Sequence, residues 1–93
     1  MTLEIVSPEN KLYSGEVTSV TVPGVDGSFQ ILNHHAPIVA ILTKGEIKIA
    51  SDNFNFGKDV EEKFVKGNDQ KFHLSINSGT LEMKDNKIII LVD

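Results

Sequence analysis

Short runs in which apolar and polar residues alternate recur along this chain, and turn-forming residues separate them. The clearest run is "GEIKIAS", which places Ile47 and Ile49 on one face and Glu46 and Lys48 on the other. Alternation with a period of two is typical of β-strands that have one buried face. Similar or wholly apolar runs are "LEIVS", "GEVTSVTV", "FQIL", "PIVAILT", "KFHLSI", "GTLEM" and "IIILV". The pattern predicts a single all-β domain of about nine or ten short strands, arranged as an antiparallel β-sandwich or flattened barrel.

Two turns and one central strand are predicted from their residue types. The dipeptide Asp26-Gly27 is typical of a type I′ hairpin turn. The stretch "KDNK" predicts a second turn, just before the last apolar run. That last run, "IIILV", is apolar on both faces, which indicates a central or covered strand.

The segment 51–70 allows two interpretations. Phe54 and Phe56 alternate as in a strand, whereas Val60 and Phe64 lie four positions apart, as on one face of a helix. We favour an extended hairpin here and keep the helix as the alternative.

Composition limits the classes of function. Ninety-three residues make one small domain with a single core, and the absence of cysteine excludes disulfides and zinc–thiolate sites. A formal net charge of −4 argues against binding nucleic acid, which needs a dense face of Lys and Arg. No apolar run approaches the roughly 20 residues that span a bilayer, and the first residues lack signal-peptide features. We therefore expect a soluble protein that reaches a membrane only through a partner.

The adjacent histidines of "NHHAP", His34 and His35, are the first candidates for chemistry. In an extended segment, neighbouring side chains point to opposite faces, so the two rings would not converge on one metal ion. His73 is the remaining histidine, and the chain has no H-x-x-x-H or H-E-x-x-H spacing. Two alternatives stay open: a loop histidine that bonds to backbone, and a histidine that contacts another protein.

Motifs of catalysis are missing as well. Ser78 in "NSGT" has no G-x-S-x-G elbow, and the chain has no glycine-rich phosphate-binding motif. The carboxylates Asp59, Glu61 and Glu62 stand among lysines, as on a solvated surface. We expect a protein without catalytic residues, metal or cofactor.

The loop that contains the two histidines is predicted to be stiff. Pro37 fixes its own φ and restricts Ala36 to extended conformations. A stiff loop loses little entropy on docking. Ile31 and Leu32, just before the loop, are expected to be partly exposed and to form an apolar contact patch.

Several segments together resemble one protein family. Leu3 to Glu9 resembles an L-x-x-V-x-P/A-E strand, Tyr13 to Val17 a [FY]-S-G-x-V turn, and Ile31 to Ile38 the end of a G-I-x-x-x-H-A-P-L loop. "GEIKI" and "NSGTLEM" resemble two further strands of the same family, in the same order. The chain thus resembles the amino-terminal domain of the epsilon subunit of F-type ATP synthase.

The resemblance implies a β-sandwich over residues 1–93 and a place in the central stalk, or rotor, of a proton-translocating enzyme. In this family the domain binds the gamma subunit and docks it on the c-ring of the membrane sector, which couples ion flow to ATP synthesis. It performs no chemistry itself. The implied location is peripheral, on the cytoplasmic face of a bacterial inner membrane.

The family's contact residues map onto this chain by position. The implied c-ring interface is Ser28, Gln30, Ile31, Leu32, Asn33 and His34. The implied gamma interface is Ser7, His35 and Ala40. His35 matches the family histidine, whereas the family often has Pro-Gly at the positions of Asn33 and His34.

The family also continues past the position of Asp93, into a two-helix domain that inhibits ATP hydrolysis and in some bacteria binds ATP. We expect a naturally short form without those helices, which binds no ATP directly. An alternative function stays open: a stand-alone small β-sandwich that binds peptide or carbohydrate, although the chain has no Trp and one Tyr.

Overall fold

A computed structural model describes residues 1–52, 64–69 and 71–93. Every helix or strand assigned in these ranges is a β-strand, so the prediction of an all-β fold is confirmed. The ten strands of the described residues are β1 (Thr2–Val6), β2 (Lys11–Glu16), β3 (Ser19–Gly24), β4 (Gly27–Leu32), β5 (Ile38–Leu42), β6 (Gly45–Ala50), β7 (Phe64–Lys66), β8 (Phe72–Ile76), β9 (Gly79–Lys84) and β10 (Lys87–Val92). None of these ranges contains a helix that is long and apolar enough to cross a membrane.

The strands form one curled sheet in the order β2-β1-β10-β9-β5-β3-β6-β8-β7, and β4 pairs with β3. Within the described ranges, only Gly24 and Leu42 join β3 to β5, so the sheet folds over at this point into two layers. The first layer is β2-β1-β10-β9-β5, and the second layer is β4-β3-β6-β8-β7. This arrangement is the sandwich that the alternating runs predicted.

The core lies between the two layers, and in most strands every second side chain points into it. Ile47 and Ile49 on β6 are fully buried, whereas Glu46 is exposed, as the alternation predicted. Burying one such side chain stabilises the fold by roughly 1.5–3 kcal/mol. The completely buried aliphatic side chains are Leu3, Ile5, Val20, Val22, Ile31, Ile47, Ile49, Ile88 and Ile90.

The last apolar run forms β10, which is central in the first layer as predicted. It pairs in parallel with β1 and antiparallel with β9. Ile88 and Ile90 point into the core, and Leu91 is 53% exposed on the outer face of the layer. One set of alternating side chains in this run therefore packs in the core, and the other set faces outward although it is apolar too.

The turn between β3 and β4 differs from the predicted type. Gly24 pairs with Gly27, so the two central residues are Val25 and Asp26, and neither has a positive φ. A type I′ turn needs positive φ at both central positions. The predicted type I′ turn centred on Asp26-Gly27 is therefore wrong, and Gly27, with φ 123°, begins β4 instead.

A type I′ geometry occurs instead in the predicted "KDNK" turn between β9 and β10. Lys84 pairs with Lys87, and the central residues Asp85 and Asn86 have φ values of 53° and 61°. Asp and Asn tolerate this left-handed region better than most residues. The turn that the sequence predicted here is confirmed.

The segment 51–70 is described only in part. Phe64 begins β7, which pairs antiparallel with β8, so the extended interpretation is confirmed at this end. The alternation of Phe54 and Phe56 and the helical spacing from Val60 lie outside the described residues.

Candidate protein-docking surfaces

The "NHHAP" loop connects β4 in the second layer to β5 in the first layer. Residues 33–37 are exposed, and His34 has a left-handed φ of 63°. The N–H of His34 donates to Oδ1 of Asn86 at 2.8 Å, and the N–H of His35 donates to the carbonyl of Leu32 at 3.2 Å. Backbone bonds to both histidines therefore give the loop a defined shape and leave their side chains at the surface.

The surroundings of the His35 ring bear on both interpretations of the loop histidines. Nδ1 of His35 lies 2.7 Å from the carbonyl oxygen of Ala36, so the ring can donate to its own loop. In the parts of the chain that are described, no three His, Asp or Glu side chains are arranged to hold a metal ion. A ring that bonds to backbone and is also exposed suits a contact with another protein.

The predicted gamma-facing residues lie at different places around the first layer. Ser7 follows β1 and His35 precedes β5, and these strands run parallel, so the two residues lie at opposite ends of the layer. The hydroxyl of Ser7 accepts from the N–H of Asn10 and closes the β1–β2 turn. Ala40, in the middle of β5, is partly buried and packs against the core.

The predicted ring-facing residues lie on β4 and on the loop that follows it. Ser28, Gln30 and Leu32 are exposed on one face of β4, and Asn33 and His34 continue the exposed surface. They therefore share one edge of the second layer.

Ile31 departs from the predicted exposure of this group. It is 0% exposed, opposes Val20 across the strand pair and belongs to the core. The expectation that it is partly exposed is wrong, because strand alternation turns position 31 inward while it turns Leu32 outward. Leu32 is 55% exposed, so the expectation is confirmed for that residue.

A group of exposed apolar side chains on the outer face of the first layer was missed by the sequence analysis. Val39 and Ile41 on β5 are 78% and 63% exposed, and Leu91 on β10 is 53% exposed. Thr80 on β9 pairs with both Ile41 and Leu91, so Ile41 and Leu91 share one row across the layer, and Val39 lies in the next row, opposite Glu82. Val25, 58% exposed, borders them, since its N–H donates to the carbonyl of Ile41. We call Val25, Val39, Ile41 and Leu91 the apolar face.

The outer face of the second layer is polar by comparison. A row across it contains Gln30, Thr21, Lys48 and His73, which are paired in that order on β4, β3, β6 and β8, and it ends in the exposed Val65 on β7. Exposed apolar surface on a small protein commonly marks a site of association. The two faces of the sandwich therefore differ, and the first layer has the one suited to an apolar contact.

A cluster of charged groups ties the turn after β7 to the second layer. Nε2 of His73 lies 3.0 Å from Oδ1 of Asp69, and Nδ1 lies 3.4 Å from Oε1 of Glu46. A neutral imidazole donates from only one nitrogen, whereas the protonated ring donates from both. The hydrogen bond that the His73 ring donates to Asp69 raises the pKa of His73 above its ordinary 6.5, with Glu46 adding to the effect and burial opposing it.

We predict that an NMR titration will place the pKa of His73 above 6.5 and that Asp69→Asn will lower it. His73 stabilises the β7–β8 hairpin below its ordinary pKa, and this contribution is lost as pH rises through the raised value. Asp69, whose pKa the same bond lowers, stabilises it above the ordinary aspartate value. Glu82→Gln on the first layer is the control and should leave the titration unchanged. An unaltered His73 pKa in Asp69→Asn would contradict the assignment.

Comparison with known proteins shows which family the chain is similar to. Residues 1–60 match the family model described as "ATP synthase, Delta/Epsilon chain, beta-sandwich domain". The ATP synthase epsilon chain of Chlorobium limicola is 36% identical over 91 residues, which cover 98% of this chain and 86% of that protein. The epsilon chain of Leptospira borgpetersenii is 39% identical over 93 residues, 100% of this chain and 61% of that protein. The chain thus spans about three-fifths of the Leptospira relative and most of the Chlorobium one.

Solved structures share the fold at lower identity. A chain in the central stalk/c-ring structure of the Tetrahymena thermophila mitochondrial ATP synthase matches with a TM-score of 0.71 and 18% identity, covering 98% of this chain and 61% of that chain. A chain in the OSCP/F1/c-ring structure of the Euglena gracilis mitochondrial ATP synthase matches with a TM-score of 0.73 and 16% identity, covering 97% of this chain and 48% of that chain. The strand pattern, the family match over residues 1–60 and the relatives matched along almost the whole chain agree, and the chain belongs to the ATP synthase delta/epsilon-chain β-sandwich family.

Proposed function

We propose that this chain is a non-catalytic subunit of the central stalk of a proton-translocating F-type ATP synthase, which binds the gamma subunit and docks it on the c-ring. Its relatives are named ATP synthase epsilon chain, and they come from bacteria such as Chlorobium limicola and Leptospira. We propose that the chain lies on the cytoplasmic face of a bacterial inner membrane, where its partners hold it.

The single observation that supports gamma binding most strongly is the apolar face. A partner that covers Val39, Ile41 and Leu91 removes apolar side chains from water, each of which is more than half exposed. Beside them, Val25, Asp26 and residues 38–41 line a depression of about 410 Å³, where a partner side chain can anchor. Central apolar anchors surrounded by polar residues are the usual organisation of specific interfaces.

The residues implied by the family fit around this face. His35 and Ser7 lie at opposite ends of the first layer, so a partner that lies across the layer can reach both. Ala40 lies beneath Val39 and Ile41, and its small side chain supports the strand from the core side. We propose that Ser7 and His35 form polar ends of the gamma contact and that β5 forms its centre.

We propose that the c-ring contact uses the exposed edge of the second layer. Ser28, Gln30 and Leu32 project from β4, and Asn33 and His34 extend the same surface into the loop. Ile31 supports this edge from the core and does not reach its surface. Two separate surfaces on one closely packed body allow the domain to pass torque between two partners without deforming.

Binding to the gamma subunit of the same organism tests the proposal. We expect the unmodified chain to co-elute with gamma as an equimolar complex in size-exclusion chromatography. Added to membranes stripped of their own epsilon chain, it should restore ATP synthesis driven by a proton gradient. If the chain does not bind gamma and instead binds a peptide or a sugar, the result would support the alternative function of a stand-alone binding module and contradict the proposed role.

A further inference from the structure

One side chain outside the predicted site, far from the "NHHAP" loop in sequence, forms a hydrogen bond to the backbone of that loop. Asn86 lies in the β9–β10 turn, 52 positions after His34, and its Oδ1 accepts the His34 N–H at 2.8 Å. Its backbone carbonyl accepts the N–H of Thr2 at 3.1 Å. Asn86 therefore joins the β9–β10 hairpin, the start of β1 and the loop between the two layers.

The bond to Asn86 stabilises an unfavourable backbone conformation. His34 has φ 63°, in the left-handed region, which is unfavourable for a non-glycine residue. Such a conformation persists when surrounding interactions fix it. In the described part of the chain, the hydrogen bond from the His34 N–H to Asn86 reaches this residue from outside its own loop, and the N-terminal amine of Met1 holds the neighbouring Asn33 at 2.6 Å.

Asn86 is itself suited to this task. Its φ of 61° places it at the second central position of a type I′ turn, where Asn is favoured. The turn fixes the backbone, and the carboxamide is then directed at the loop. A glycine at this position would keep the turn and lose the acceptor, which separates the two roles.

We infer that Asn86 is a positioning residue for docking: through the backbone of His34 it holds the loop in the shape that presents His35 to the gamma subunit. This inference rests on the proposed function, since it assigns gamma as the partner of the loop. A loop held in its docking shape before contact loses less entropy when it binds. Removing the hold should weaken binding without unfolding the domain.

Two substitutions at position 86 test this inference. Asn86→Gly turns the central dipeptide into Asp-Gly, which still favours a type I′ turn, so the domain should stay folded, with no more than a small fall in the urea midpoint from the lost hydrogen bond. Losing one hydrogen bond should speed amide hydrogen exchange at His34 and weaken gamma binding, each by roughly five- to tenfold. Asn86→Asp retains an acceptor and tolerates left-handed φ, so it should restore slow exchange at His34 and binding. Asp85→Gly, at the neighbouring turn position, is the matched control and should change neither.

The possible results separate the two proposals. Unchanged His34 exchange in Asn86→Gly would overturn the positioning role, whatever gamma does. Faster amide exchange at His34 with unchanged gamma affinity would show that Asn86 stabilises the loop but does not contribute to docking. The positioning role would then be wrong, and the proposed function would stand. If the unmodified chain does not bind gamma, the docking role of Asn86 and the proposed function both fail, while the exchange data still report on the loop.

Discussion

Replacing Val39 and Ile41 together with lysine is expected to abolish binding to the gamma subunit and to leave the domain folded. Both side chains are exposed on the outer face of β5, at 78% and 63%, so lysine meets no buried surface there. Across an interface, however, two ammonium groups would replace two apolar anchors and would lose water without gaining partners. We expect the Kd for gamma to rise by on the order of 100-fold or more, measured by calorimetry.

The matched control for this double variant is Val65→Lys on β7. Val65 is 64% exposed, almost the same fraction as Ile41, but it lies on the second layer. We expect this substitution to leave gamma affinity within about twofold, because exposed positions away from a contact contribute little. If Val65→Lys weakens binding as much as the double variant does, the apolar face is not the specific gamma contact.

The second large effect is expected on the free energy of unfolding, when the neighbouring β4 residues Ile31 and Leu32 are each replaced by alanine. Ile31→Ala should lower the free energy of unfolding by about 2–5 kcal/mol, because it empties space in a closely packed core. Leu32→Ala should change it by no more than about 0.5 kcal/mol, since Leu32 is 55% exposed. Urea unfolding followed by circular dichroism measures both variants under the same conditions.

This comparison also decides how substitutions on the proposed c-ring contact, the exposed edge of the second layer, are interpreted. Ile31 occupies a position that the family places at the ring, but its side chain is 0% exposed. An aspartate there would report on folding and not on ring docking. Equal stability losses in the two alanine variants would show that β4 does not have the alternation described for Ile31 and Leu32.

The sequence predicted the fold well where polar and apolar residues alternate strictly. Around Ile47 and Ile49, the polar neighbours Glu46 and Lys48 leave only one face that can be buried, so strand and orientation follow together. The order of the strands is a different matter. The parallel pairing of β1 with β10 joins the two ends of the chain, and no local pattern contains that information.

The docking surfaces were less accessible to sequence reasoning, for two physical reasons. In "IVAIL", both phases of β5 are apolar, so the sequence does not show whether Ala40 or its neighbours Val39 and Ile41 face outward. The apolar residues in both phases of this strand are the signal that could have suggested an exposed apolar face. The hold of Asn86 on His34 spans 52 positions, and only the fold brings the two residues together.

The central position of β10 has a consequence for how the protein is made. Because β10 lies between β1 and β9, Leu3 and Ile5, which pair early with β2, gain their second neighbouring strand only after residues 87–92 have left the ribosome. Until then the nascent chain presents an open strand edge, and pairing partners that lie so far apart in sequence find each other slowly. Leu91 belongs to the same strand and to the apolar face, so the strand that completes the first layer also completes this face. The surface that we propose for docking is therefore unfinished until β10 has paired.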